Sequence, residues 1–180
     1  MKIYVMRHGK TKMNRDGVFN GRKDEDITEE GIEQAKKAGE IIKNINLDVI
    51  YCSTMVRAKH TCELVNINNV PVIYDDRLVE RTFGEADGNL LSEFGISYDD
   101  FCNYYYQCDI PGYEDMSTLF KRVTDFLEDL KKQDYQSVLV VTHGCLTRAI
   151  YHYFNGIPED GNLLRNYPRP NNCQIDTYEL

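Results

Sequence analysis

Two histidine-glycine pairs, each directly after an apolar segment, are the residues of this chain best suited to chemistry. His8 follows Arg7 and the apolar residues 2–6, and His143 follows residues 137–142. Both segments have the composition of β-strands, so each histidine is expected in a loop at the carboxyl end of a strand. An arginine beside a histidine can hold an anion against the imidazole ring. Since neutral imidazole is a competent nucleophile near pH 7, these residues indicate chemistry on an anionic substrate.

Phosphoryl transfer is the reaction that these residue types fit. A phosphoryl group in transfer needs positive charge near its oxygens, an in-line nucleophile and a proton for the leaving oxygen. Arg7 and Arg57 are candidates for a guanidinium clamp on phosphate, and Arg57 closely follows a predicted second strand. Glu80 is the candidate proton donor, which requires it to hold a proton at neutral pH.

Strands and helices alternate along the chain, which predicts an α/β fold with three layers, α/β/α, a mostly parallel sheet and a small cap region. Pro71 suggests that the third strand lies at an edge of the sheet. Thr28 is expected to cap one helix, and Ser53 or Thr54 the next. Ligands bind beyond the carboxyl ends of such strands, so both histidines are expected on one rim. The strands are predicted at residues 2–6, 47–51, 70–73, 137–142 and 173–178.

Length and charge limit the possible classes of protein. The 180 residues are predicted to form a single domain, 1–180, with a cap segment inserted at about 82–117. The formal net charge of −8 argues against nucleic acid or an anionic membrane as the main partner, because both require a basic surface. No segment resembles a membrane span or a signal peptide, so a cytoplasmic location is expected. The oligomeric state is not readable from the sequence.

The six cysteines do not predict a metal site. None occurs in a Cys-x-x-Cys motif or with histidine at zinc-finger spacing, so neither a metal nor another cofactor is expected. An even number of cysteines permits disulfides, but without a signal peptide reduced, partly buried thiols are the favoured alternative. Cys145, next to the second His-Gly pair, is expected to be a packing residue. His60 and His152 are expected to be structural, and Arg81 to be a surface charge.

Five short motifs occur in a defined order along the chain. They are residues 7–14 (RHGKTKMN), 21–31 (GRKDEDITEEG), 53–58 (STMVRA), 80–84 (ERTFG) and 143–144 (HG). With these motifs the chain resembles the histidine phosphatase superfamily, in the branch that includes cofactor-dependent phosphoglycerate mutases. Two residues depart from the usual pattern, since Arg22 stands where many relatives carry an aromatic residue and Asp26 where proline is usual. Both positions concern substrate contacts rather than the chemistry.

The resemblance implies roles for individual residues. His8 would become phosphohistidine, and His143 would hydrogen-bond the transferring phosphoryl group. Arg7 and Arg57 would bind its oxygens, and Glu80 would act first as acid and then as base for water. No metal is implied, because arginine and histidine supply the positive charge. The residues expected to bind substrate are Gly9, Asn14, Asn20, Gly21, Phe83 and Gly144.

The segment before the last long helix is expected to determine substrate choice. Residues 82–120 contain eight carboxylates and several aromatic residues but no lysine or arginine. An acidic cap would repel a second phosphate, whereas aromatic rings could stack on a flat leaving group or could only pack the cap on the core. We therefore predict a phosphatase for a small phosphomonoester, of the nucleotide-like (ribazole phosphate) type or a sugar phosphate. The alternatives are a phosphoglycerate mutase, for which Arg165 and Arg169 could restore positive charge, and a non-catalytic phospho-ligand binding module.

Overall fold

One five-stranded sheet lies at the centre of the structure, a computed structural model that describes residues 1–180. The strand order is β3-β2-β4-β1-β5. Strands β1 to β4 are parallel, and β5 runs antiparallel to β1. The α/β class with a mostly parallel sheet, predicted from the sequence, is therefore confirmed. The strands are β1 (Lys2–Arg7), β2 (Val49–Cys52), β3 (Val72–Tyr74), β4 (Ser137–Thr142) and β5 (Ile175–Glu179).

Helices cover both faces of the sheet because successive side chains of each strand point in opposite directions. Val138 and Val140 of β4 belong to one apolar core, whereas Leu139 and Val141 belong to the other. The first core packs against α5 and α6, and the second against α2 and α3. The helices are α1 (Lys12–Asp16), α2 (Glu29–Ile42), α3 (Val56–Val65), α4 (Tyr98–Phe101), α5 (Met116–Leu130) and α6 (Gly144–Asn155).

Most predicted element boundaries agree with the structure. β3 is an edge strand, as Pro71 suggested. Thr28 caps α2, because its side chain accepts a hydrogen bond from the Gly31 N–H group at 3.2 Å. The last strand begins at Ile175 rather than at Cys173, whose φ of 56° is incompatible with an extended conformation.

The predicted cap of α3 is wrong. The N-cap residue is Met55, whose side chain makes no capping hydrogen bond. The Asp24 carboxylate takes that place from a distant loop, accepting from the Val56 N–H group at 3.0 Å. The Ser53 hydroxyl is instead hydrogen-bonded to His143 at 2.8 Å. Long-range contacts therefore replace the local cap that the sequence suggested.

Arg81 is not a surface charge, contrary to expectation, since it is fully buried. Its guanidinium donates to the carbonyl oxygen of Phe101 at 2.6 Å and to the Tyr113 hydroxyl at 2.7 Å. The guanidinium carbon also lies 4.8 Å from the centroid of the Phe101 ring. Arg81 thus ties the segment between β3 and α5 to the core through hydrogen bonds and cation–π contacts. No helix in the structure is both long and apolar enough to cross a membrane.

Candidate active site

His8 and His143 lie side by side although 135 residues separate them in sequence. Parallel pairing of β1 with β4 places Arg7 opposite Thr142, and the His8 N–H group donates to the Thr142 carbonyl at 2.9 Å. The centroids of the two imidazole rings are 5.2 Å apart. Adjacent parallel strands therefore bring both histidines to the carboxyl edge of the sheet, as the sequence predicted.

The His8 ring is held in one tautomer with one nitrogen free. Nδ1 lies 2.7 Å from the Gly9 carbonyl oxygen, which can only accept, so Nδ1 carries the proton. Nε2 therefore carries the lone pair, and His8 lines a cavity. Burial, followed by the positive charges of Arg57 and Arg7, holds the pKa of His8 well below its usual value of 6.5. At neutral pH the ring is an uncharged potential nucleophile.

His143 has both ring nitrogens engaged within the protein. Nδ1 accepts a hydrogen bond from Arg57 Nε at 3.2 Å, so the proton is on Nε2, which is 2.8 Å from Ser53 Oγ. Burial lowers its pKa well below 6.5, and the charge of Arg57 contributes further. His143 is fully buried and is not among the residues that line the cavity. A direct hydrogen bond to a phosphoryl group, as the resemblance implies, would require its Nε2 to leave Ser53.

Two arginines line the cavity beside His8. Arg7 donates through Nη1 to the Pro170 carbonyl at 2.7 Å, while its buried Nε has no hydrogen-bond partner in the protein. A buried donor without a partner costs free energy, so Arg7 Nε is suited to receive an oxygen of a bound anion. Burial is the largest cause that lowers the pKa of Arg7 to about 10, and the charge of Arg169 adds to it, so Arg7 remains charged at neutral pH.

Arg57 is fully buried and is held by backbone carbonyls. Its Nη2 donates to Gly21 at 2.9 Å and its Nη1 to Lys23 at 3.0 Å, and the Asp24 carboxylate lies 3.8 Å away. Arg57 thus supplies positive charge to the cavity and also fixes the His143 ring. Because its three nitrogens already have partners, the contribution of Arg57 to the cavity in this structure is electrostatic.

Glu80 enters the cavity from the segment that follows β3. It is 8% exposed, and its Oε1 accepts from the Arg81 N–H group at 2.9 Å. Its Oε2 lies 3.5 Å from the Cys145 nitrogen in the first turn of α6, a longer contact. Both donors are backbone groups, so the carboxyl orientation depends on the main chain and not on a mobile side chain. Glu80 and His8 line the same cavity, as expected for an acid and a nucleophile.

The remaining residues that the sequence singled out divide into two groups. Asn14 and Asn20 line the cavity and are joined by a 2.9 Å hydrogen bond from Asn14 Nδ2 to Asn20 Oδ1. Gly21, Phe83 and Gly144 also line the cavity, whereas Gly9 does not line it. A Cβ atom on Gly9 would lie 2.7 Å from the Gly31 carbonyl oxygen, so glycine allows the loop that carries His8 to approach the start of α2.

Arg148 lines the cavity together with an aromatic wall, and the sequence did not single out Arg148. Arg169, suggested from the sequence as a substitute cation, also lines the cavity. Arg165, suggested as a substitute cation, instead pairs with Asp160 and is outside the cavity. One feature of the sequence could have indicated that Arg148 lies near the site. It follows Gly144 by four residues and so shares its helix face. The aromatic wall consists of Phe19, Phe83, Tyr98 and Phe101.

The C-terminal loop closes the site behind His8, and no motif indicated this. Asn172 Nδ2 donates to the His8 carbonyl oxygen at 2.9 Å and to Asn14 Oδ1 at 3.2 Å. The Cys173 N–H group donates to the Arg7 carbonyl at 2.9 Å. These bonds hold the two ends of the chain together around the loop that carries His8.

The aromatic residues of the cap segment do not share one role. Tyr98 and Phe101 line the cavity, and their rings stack with centroids 5.9 Å apart. Tyr104 instead packs edge-on against Phe120 of α5, at 5.2 Å. Packing on the core, one of the two alternatives raised by the sequence, thus holds for Tyr104, whereas Tyr98 and Phe101 line the cavity. No cluster of three or more His, Cys, Asp or Glu suited to a metal ion is found, and the six cysteines are free thiols.

The two buried histidines predict that stability depends on pH. Because their folded-state pKa values are depressed, the unfolded chain binds more protons below about pH 6.5. Stability is fully present above that pH and falls as the pH decreases, by up to about 1.4 kcal/mol per pH unit for each histidine. Urea unfolding between pH 5 and 7.5, in a phosphate-free buffer, measures this slope. His8→Ala should remove about half of it, and a flat profile would contradict the burial of neutral rings.

Comparison with known proteins agrees with this geometry. The model of the histidine phosphatase superfamily (branch 1) matches residues 3–179. The chain therefore belongs to this superfamily and is a phosphatase, which confirms the resemblance drawn from the five motifs.

Individual relatives include phosphatases of different specificity. Phosphoserine phosphatase 1 of Hydrogenobacter thermophilus is 32% identical over 87% of this chain and 77% of its own length. The adenosylcobalamin/alpha-ribazole phosphatase of Escherichia coli is 30% identical over 89% of this chain and 82% of its own. Among solved structures, the alpha-ribazole phosphatase from Shigella flexneri superimposes with a TM-score of 0.85 at 26% identity, covering 100% of this chain and 91% of the other.

Proposed function

We propose that this protein hydrolyses small phosphomonoesters through a phosphohistidine intermediate on His8. The observation that carries the proposal is the His8 ring itself. Its Nδ1 proton is directed to Gly9, and its pKa is depressed by burial and by Arg57 and Arg7, so the ring is neutral with Nε2 available in the cavity. A non-catalytic binding module would not need an uncharged nucleophile beside the unpaired Nε donor of Arg7.

The first step transfers the phosphoryl group to the enzyme. The lone pair of His8 Nε2 forms a bond to phosphorus as the ester P–O bond breaks, and the leaving oxygen takes a proton from Glu80. Arg7 Nε, which has no protein partner, is free to donate to a phosphoryl oxygen. The cavity's positive charge is then greatest where negative charge accumulates in the transition state.

The second step returns the enzyme to its initial state. Glu80, now a carboxylate, takes a proton from water, whose oxygen attacks phosphorus as the P–N bond breaks. Phosphate leaves, the lone pair returns to His8 Nε2, and Glu80 is again protonated. His143, Asn14 and Asn20 orient the surrounding loops, and the arginines supply the charge that a metal supplies in other phosphatases.

We propose hydrolysis rather than mutase activity, although the distribution of positive charge differs from the one expected from the sequence. The acidic cap segment was expected to leave positive charge only near His8, yet Arg148 and Arg169 also line the cavity. Two observations favour hydrolysis: residues 82–120 contain no lysine or arginine, and similar proteins include phosphatases. A mutase must retain a doubly phosphorylated intermediate, whereas Arg148 is the only buried arginine of the cavity lining besides Arg7 and Arg57.

The test compares two reactions of one enzyme preparation in EDTA. Phosphate release from a panel of monoesters, including ribazole-type, nucleoside and sugar monophosphates, should greatly exceed interconversion of 2- and 3-phosphoglycerate. Activity should survive EDTA, because the transferring group is held by arginines. Efficient interconversion that depends on 2,3-bisphosphoglycerate would overturn the proposal in favour of a mutase. A complete loss in EDTA that a divalent ion restores would overturn the arginine-based mechanism.

The domain organisation, partners and location of the protein are also inferred. We infer one domain, 1–180, with residues 82–117 as its cap, acting on a small molecule rather than on nucleic acid or a membrane. The net charge of −8 supports this, since anionic polymers require basic surfaces. A cytoplasmic location agrees with the reduced state expected of its six cysteines.

A further inference from the structure

Arg148 is a buried cation that no carboxylate neutralises. It is 2% exposed, and no carboxylate oxygen lies within 4.0 Å of its nitrogens. Its Nε and Nη2 make only long hydrogen bonds of 3.4 Å, to the carbonyl of Tyr167 and the hydroxyl of Tyr98. Its Nη1 makes no hydrogen bond to the protein. By contrast, the equally buried Arg81 makes three contacts of 2.7 Å or less.

Burying a guanidinium without a counterion is costly unless another group satisfies it. Arg148 lines the cavity, so a bound molecule can reach it. The aromatic rings of Phe19 and Phe101, 4.8 Å apart, and of Tyr98 line the same cavity. They lower the local dielectric and thereby strengthen any interaction of Arg148 with an anion.

Position along α6 separates Arg148 from the phosphoryl group. Gly144 lies near Arg7, since a Cβ atom added to it would be 3.5 Å from Arg7 Nε, and Arg148 lies one helical turn further on the same face. Its partners are Tyr98 of the cap segment and Tyr167 of the C-terminal loop, not residues of the His8 loop. An anion at Arg148 would therefore belong to the leaving group and not to the phosphoryl group.

We propose that Arg148, held by Tyr98, binds a carboxylate on the leaving group, so that the preferred substrates are small phosphomonoesters of hydroxy or amino acids. A planar guanidinium with a free Nη1 matches a carboxylate in two-point geometry. A second phosphate would bring two negative charges near Glu80 and the acidic cap segment, which disfavours it. The proposal rests on the proposed function, since it concerns the selectivity of the same site.

The experiment uses two substrates that differ only in the carboxylate, O-phosphoserine and O-phosphoethanolamine. The wild-type enzyme should favour O-phosphoserine in kcat/KM by roughly 10- to 100-fold, the range expected for a hydrogen-bonded charge pair. Arg148→Gln should remove this preference, because kcat/KM should fall roughly 10- to 100-fold more on O-phosphoserine than on O-phosphoethanolamine. The matched control is Arg165→Gln, which changes an exposed arginine in the C-terminal loop that also carries Tyr167. It should leave kcat/KM unchanged for both substrates.

Each outcome decides the proposal. No preference in the wild type, equal losses on both substrates in a folded Arg148→Gln, or a stronger preference for nucleoside monophosphates would overturn it. If Arg148→Gln does not fold, Tyr98→Phe decides, because it removes the hydroxyl that holds Nη2 but leaves a partly exposed ring in place. It should reduce the preference several-fold, and an unchanged preference would overturn the proposal. Failure of the proposed function is distinguishable, since p-nitrophenyl phosphate would then not be hydrolysed either.

Discussion

Replacing His8 by alanine should reduce turnover by at least about a thousandfold while leaving the fold intact. Alanine removes the imidazole nitrogen proposed to attack phosphorus, so no phosphoenzyme can form. Phosphate release measures the loss, and rapid acid-free quenching with radiolabelled substrate should trap acid-labile phosphate on the wild type but not on the variant.

The control for His8→Ala is His60→Ala. His60 is half-exposed, pairs with Asp26 at 2.8 Å and does not line the cavity. This variant should retain activity within about twofold, as is usual for surface substitutions. If His8→Ala keeps more than a few per cent of the wild-type rate, or still carries acid-labile phosphate, the covalent mechanism is wrong.

Glu80→Gln should lower kcat by about 10²- to 10⁴-fold on an alkyl phosphate. Glutamine preserves the shape of the side chain, and its single amide oxygen can still accept from the Arg81 N–H group, while its NH2 group takes the place of the oxygen with the longer contact to the Cys145 nitrogen. Its amide group cannot act as the acid for the leaving oxygen. The first step should lose less on p-nitrophenyl phosphate, whose leaving group needs no proton. The second step should slow for every substrate, because the base for water is lost.

Single-turnover kinetics separate these two effects. With p-nitrophenyl phosphate the variant should show a burst of nitrophenol and accumulate phosphoenzyme. Glu85→Gln is the matched control, since Glu85 is an exposed carboxylate in the same segment and lies outside the cavity. An equal loss on alkyl and aryl substrates, with no burst, would show that Glu80 is not the proton donor.

Local patterns in the sequence were sufficient to predict a mostly parallel sheet and the residues that lie beside His8. A strand followed by His-Gly occurs twice, and parallel strands place their carboxyl ends on one edge, so His8 and His143 had to share a rim. Five motifs in order indicated the superfamily. Pro71 and Thr28 placed the edge strand β3 and the start of α2, because caps and strand-edge signals depend on neighbouring residues alone.

Burial and partner choice could not be deduced in the same way. Neighbouring residues in the sequence do not determine that Arg81 and Arg148 are both buried, and only packing decides that Arg81 is fully satisfied while Arg148 is not. Likewise, Ser53 was a plausible helix cap until its hydroxyl met His143, 90 residues away. Such choices depend on which competing donor or acceptor lies nearest after folding.

The sequence by itself therefore determined the class of this protein, an α/β phosphatase with His8 and Arg7 at a strand end, because strand periodicity and motif order are local properties. Only the tertiary structure decided which nitrogen of His8 is free, that His143 faces Ser53 and Arg57, and that the C-terminal loop reaches back through Asn172 to the catalytic loop. The physical reason is that tautomer, charge state and selectivity depend on burial and on hydrogen bonds between residues far apart in the chain.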